Sequence, residues 1–109
     1  MDVMERTIGF IICTAEHAYR WRLRLYEQFE HFISVGRTNI VVMLDTFPVI
    51  DREAVTSFLE LESHARDTRA SCTFVALQAE TIAALQSVAP GALRVIQRIE
   101  DIPARGAAA

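Results

Sequence analysis

Asp45 closes the apolar run Ile40-Val41-Val42-Met43-Leu44, and Asp51 and Glu53 follow within eight residues. Three carboxylates so close together are a donor set that a divalent cation takes, with Glu53 as the third ligand. A structural reading competes with this one. Asp51 opens an amphipathic segment, and Asp is among the preferred residues for accepting hydrogen bonds from the free backbone N–H groups of a helix start. Capping takes precedence, so no metal is expected. Cys13 and His17 form a second candidate pair. Cys13 directly precedes a helix start, where the dipole lowers a thiol pKa, and His17 lies four residues on. A thiolate nucleophile with a histidine base is the chemistry this would offer. No basic or orienting group stands beside the pair, however, and a cysteine ending an apolar strand is ordinarily core. Cys13 and Cys72 are both expected as free, buried thiols.

The remaining candidates are thinner. His17, His31 and His64 lie on separate segments without ligand spacing. Gly9, Gly36, Gly91 and Gly106 are scattered and form no phosphate-binding loop. Catalytic residues and cofactors are therefore not expected. Arg20, Arg22 and Arg24 interleave with Tyr19, Trp21 and Tyr26, a composition found in nucleic-acid faces. On a helix, residues two apart point about 200° apart, so Arg22 lies opposite Arg20 and Arg24 and no single patch results. Glu16 and Glu27 stand at salt-bridging distance in sequence from Arg20 and Arg24. Tyr19, Leu23 and Tyr26 make a semi-apolar stripe suited to a partner or oligomer contact.

Strands and helices in alternation must position these residues. The uninterrupted, largely β-branched run at residues 40–44 predicts a strand covered on both faces. Similar runs predict strands at residues 7–13 and 71–77, with a last edge strand at 93–96. Helical periodicity predicts a long first helix over residues 15–35, capped by Thr14 and ended by Gly36. Its packing stripe is Ala18, Trp21, Leu25, Phe29 and Phe32. A second helix over residues 52–66 turns Ala54, Phe58, Leu61 and Ala65 inward, with Val55 and Leu59 beside them. A third, over residues 80–89, turns in Ile82, Leu85 and Val88. The alternation predicts an α/β fold: one domain over residues 1–104, a mostly parallel sheet of about four strands, and a disordered tail at residues 105–109.

Composition sets the outer bounds. A chain of 109 residues, 51% hydrophobic, buries one core. A net charge of −3 and a pI near 5.5 give no overall attraction to nucleic acid or anionic lipid. No stretch approaches the roughly 20 apolar residues of a membrane span, and the acidic start lacks a signal peptide's basic region. A cytoplasmic location without direct membrane insertion is expected.

The pattern resembles the STAS domain, the fold of bacterial anti-sigma factor antagonists and of the cytoplasmic tails of sulfate-transporter-type proteins. The matching residues are Ile40-Val41-Val42-Met43-Leu44-Asp45, then Pro48-Val49-Ile50-Asp51 opening the next helix, Thr73-Phe74-Val75-Ala76-Leu77, and Glu80-Thr81-Ile82-Ala83-Ala84-Leu85. The similarity spans residues 8–102 in element order. It implies a non-catalytic protein-protein interaction module in bacterial regulation, with residues 46–55 as the contact surface and Thr46, Phe47, Asp51, Arg52 and Glu53 as its contact residues. The implied partner is an anti-sigma-type kinase or, alternatively, a transporter domain that the chain regulates or helps to assemble. A homo-oligomer also fits. Members switched by phosphorylation carry Asp-Ser-Ser/Thr-Gly at this helix start, whereas this chain reads Asp51-Arg52-Glu53-Ala54. Glu53 takes the acceptor position and cannot be phosphorylated, which leaves Thr46, Thr56 and Ser57 as the neighbouring hydroxyls. The loop between Asp45 and Asp51 is about two residues shorter than usual, and the family's opening strand pair is reduced to one strand. A response-regulator receiver is disfavoured, because the roughly thirty residues between Cys13 and Asp45 hold one crossover, not two.

Overall fold

Chain order is also spatial order in this fold. The computed structural model describes residues 8–101. Its strands β1 (Ile8–Ile11), β2 (Asn39–Met43), β3 (Ser71–Val75) and β4 (Val95–Ile96) lie in the order β1-β2-β3-β4, every pair parallel. Three helices make the connections: α1 (Trp21–Ser34), α2 (Arg52–Asp67) and α3 (Ala79–Val88). The expected single α/β domain is what forms, and the four-stranded sheet is wholly parallel.

A parallel sheet wound in sequence with crossovers of one hand carries all its helices on one face. The packing agrees. Leu25 and Phe29 of α1, Ala54, Phe58, Leu61 and Ala65 of α2, and Leu85 of α3 share one buried cluster with Ile11, Ile40, Val42 and Phe74 of the strands. The opposite face gathers Ile8, Val41 and Val75, with Met43 and Ile96 beside them, and no helix among the described residues joins that cluster. Apolar contacts on both faces explain why β2 is an unbroken apolar run instead of an alternating one.

Close approach of α1 to β1 requires a glycine. A Cβ on Gly9 would stand 2.6–2.8 Å from atoms of the Phe32 ring, so any side chain there would force that ring out of its place against the strand. Outside the strand, the Gln28 side-chain amide accepts from Ile12 N–H at 3.3 Å and donates to Ile12 C=O at 3.1 Å. It thereby satisfies two backbone groups at the end of an edge strand, as a neighbouring strand would.

The first helix departs from expectation. Residues Ala15–Arg20 form a 3-10 turn and the α-helix begins only at Trp21. Ala15–Arg20 buries no residue, and Thr14 makes no side-chain capping bond, so neither packing nor a cap favours α geometry there. The expected stripe holds from Trp21 onward: Leu25 and Phe29 are fully buried, and Trp21 and Phe32 pack against the core. β1, β3 and β4 are shorter than the runs that predict them. Beyond Val75, Ala76 N–H still bonds to Ile96 C=O of β4, and the chain leaves the sheet at Leu77, whose N–H turns to Asp45. Thr7 and the expected tail at residues 105–109 lie outside the described residues. No described helix is long and apolar enough to cross a membrane.

Candidate functional site

β2 delivers its carboxyl end to a rim where loops from three βα units meet. Asp45, in the 3-10 turn Leu44–Thr46, reaches across to the next unit. Its carboxylate accepts from Leu77 N–H at 2.8 Å and from Gln78 N–H at 3.0 Å. Gln78 is the N-cap of α3 and makes no capping bond of its own. Asp45 therefore does, from the turn after β2, the anchoring that a local cap would do.

Thr46 is equally committed. Its Oγ1 accepts from Cys13 N–H at 2.9 Å and donates to Met43 C=O at 2.7 Å, which ties the end of β1 to the end of β2. Asp51 caps α2, as its position in the sequence implied, by accepting from Ala54 N–H at 2.8 Å. Glu53, in the first turn of α2, accepts from Arg22 Nη2 at 2.6 Å. The three carboxylates that could have shared a cation thus face three different partners, and no cluster of metal-ligating groups forms among the described residues.

Beneath the rim lies an aromatic layer. Trp21 stands edge-on to Phe47 with centroids 5.6 Å apart, Phe47 edge-on to Phe58 at 5.4 Å, and Phe58 contacts Phe74 at 5.7 Å. Such contacts add to the area these rings bury. Of the five expected contact residues, Asp51, Arg52 and Glu53 are exposed, Thr46 is half-buried, and Phe47 is buried within this layer. Phe47 therefore supports the surface from below. Among the neighbouring hydroxyls, Thr56 is exposed, with its Oγ1 donating to Arg52 C=O at 3.1 Å, whereas Ser57 is buried.

The cysteine-histidine pair does not assemble. His17 Nε2 lies 3.3 Å from Glu16 Oε1, and the hydrogen bond of Cys13 Sγ is to Thr14 C=O at 3.8 Å. Burial raises the Cys13 thiol pKa, the opposite of what a thiolate nucleophile needs. Cys72 differs from expectation in being only half-buried, in a cleft with Glu62, Thr73, Arg94 and Ile96. β4 is too short to cover it, since its pairing reaches only Phe74 and Val75. Burial of the thiol and the charge of Glu62 still push its pKa up to about 12. Both cysteines are free.

The sequence reading missed how α1 and α2 are joined. Arg22, Tyr26 and Glu30, four residues apart on α1, meet Glu53, Glu60 and His64 of α2 at 2.6, 3.3 and 3.0 Å. Desolvation, then the Glu60 charge and the hydrogen bond to it, raise the Tyr26 pKa. The i, i+4 spacing along α1 is visible in the sequence, and the same helical geometry that separates Arg22 from Arg20 and Arg24 aims it at α2. Arg24 does pair with Glu27, at 2.7 Å, whereas Glu16 turns to His17 and not to Arg20. No protein-family model, curated protein or solved structure matches the chain.

Proposed function

We propose that the chain is a non-catalytic protein-protein interaction module of bacterial regulation, STAS-like in arrangement, that offers the start of α2 to a partner protein. The observation that carries this reading is the setting of Glu53. By the resemblance it takes the acceptor position, and in the structure it is exposed and held by Arg22 from the neighbouring helix. A carboxylate in the first turn is favoured by the helix dipole, and unlike a phosphate it is permanent. Regulation then comes from partner availability or from a ligand, not from phosphorylation here. The surrounding polar groups support the same reading. Asp45 and Thr46 are half-buried and engaged in holding loops, and the exposed part of the loop and helix start is Pro48, Val49, Asp51, Arg52 and Glu53.

The test is recovery of the tagged chain from its native cell beside a Glu53→Lys variant. The expected result is a protein partner retained by the wild type and reduced at least tenfold by the variant, with an unchanged circular dichroism spectrum. Equal retention by both, or no partner with either, overturns the proposal. So does phosphate on Thr46, Thr56 or Ser57 that controls binding.

A further inference from the structure

We infer that Gln28 and Arg37 guard the free edge of β1 against pairing with a second copy of the chain. The sheet order makes β1 an edge strand, and among the described residues no strand pairs with its outer side. Its own sequence carries none of the charges or prolines that blunt such an edge. Ile8-Gly9-Phe10-Ile11-Ile12-Cys13 is uncharged throughout, and the side chains of Phe10 and Ile12 stand 43% and 44% exposed. An uncharged apolar strand with an open edge is a template for another strand, and a copy of itself offers the same side chains in return.

The protection comes from outside the strand. Backbone groups alternate in direction along β1. Cys13 N–H turns inward to Thr46 at the end of β2, whereas Ile12 N–H and C=O both bond to Gln28. Ile8, Phe10 and Ile12 therefore direct their backbone groups to the free edge. Ile8 C=O accepts from Arg37 Nη1 at 2.7 Å, and Gln28 holds both groups of Ile12. Between the two guards, Phe10 N–H and C=O remain as an open rung.

The register identifies what the guards keep out. In an antiparallel pair centred on that rung, Phe10 would exchange both hydrogen bonds with its counterpart, and Ile8 would pair with Ile12 of the second copy on either side. Gln28 and Arg37 occupy those flanking rungs, and one rung alone is too little to hold a strand. The other end of the sheet, β4, is only two residues long, so pairing through β1 would close as a two-fold dimer.

The test removes the guards in the full chain, as Gln28→Ala/Arg37→Ala and as Gln28→Met/Arg37→Met, which keeps the apolar stems. Circular dichroism establishes folding, light scattering gives the mass, and amide hydrogen exchange reads Phe10. The expected result is a folded variant of twice the wild-type mass at equal concentration, with Phe10 exchange slowed about tenfold and slowed further as concentration rises. Adding Phe10→Lys sets like charges opposite each other at the two-fold and should restore the wild-type mass. Folded variants that keep the wild-type mass and Phe10 exchange overturn the inference. Association that survives Phe10→Lys or leaves Phe10 unprotected also overturns it, since another surface would then be responsible. Failure of both variants to fold overturns it as well, because Gln28 and Arg37 would then support the fold and not its edge.

Discussion

Arg22 Nη2 on α1 lies 2.6 Å from Glu53 Oε2 on α2, thirty-one residues away in sequence. The pair is exposed, so water and salt screen it and its removal should cost stability less than about 1 kcal/mol. Its consequence for binding is expected to be larger, because it sets the charge and side-chain positions where the starts of α1 and α2 meet. Arg22→Glu should weaken partner retention about tenfold while the denaturation midpoint barely moves. The charge-exchanged Arg22→Glu/Glu53→Arg protein separates the pair's geometry from the sign of its charges. A partner that needs the negative charge at position 53 should not be rescued by it, and recovery of binding would show that only the link between the helices matters.

Phe29 is fully buried at the centre of α1's packing face and contacts the His64 ring at 5.3 Å. Phe29→Ala removes its apolar area and leaves a cavity against the sheet, at an expected cost of about 3 to 5 kcal/mol. Chemical denaturation measures this directly, and an unchanged midpoint would mean that α1 packs through another face.

Asp45→Ala should destabilise the protein by about 1 to 3 kcal/mol, since it leaves Leu77 N–H and Gln78 N–H without their carboxylate. The effect is expected to be local first. Hydrogen exchange should speed up at Leu77 and Gln78 before it changes in β2, and equal acceleration throughout would show that Asp45 has no special hold on the start of α3.

Both thiols should label slowly under native conditions at pH 8, because the thiolate is the reactive form and both pKa values are raised. For Cys72 the labelling rate should keep climbing toward pH 12 where an ordinary thiol levels off above its usual 9.0. The sign for stability follows from the same shift. With the folded value above the unfolded one, the Cys72 contribution is fully present below pH 9 and is lost as pH rises through 12. A Cys72→Ser variant should lose this part of the alkaline destabilisation.

Periodicity and turn residues were enough to read the alternation of elements, the packing stripe of α1, the inward face of α2 and the Asp51 cap, because each depends on residues near one another in the chain. What the sequence left hidden depends on distance. Arg22 with Glu53 and Asp45 with Leu77 are pairings across units, and no local pattern marks them. Strand order was equally hidden, since the same alternation suits several windings. The 3-10 start at Ala15–Arg20 escaped notice because polar helical spacing continues through a stretch that buries nothing.

Because, among the described residues, each strand pairs only with its predecessor and successor in the chain, none waits for a later strand to be threaded beside it. Ile8 meets Asn39 and Asn39 meets Ser71, so closure at each step spans about one βα unit. A nascent chain can therefore complete β1, α1 and β2 while β3 is still being synthesised, and each new unit adds to a single growing edge. The last unit is then the easiest to lose. β4 holds on through two residue pairs, Phe74 with Val95 and Val75 with Ile96, so the sheet should fray from its newest end and leave the older units standing, in the manner of a short solenoid.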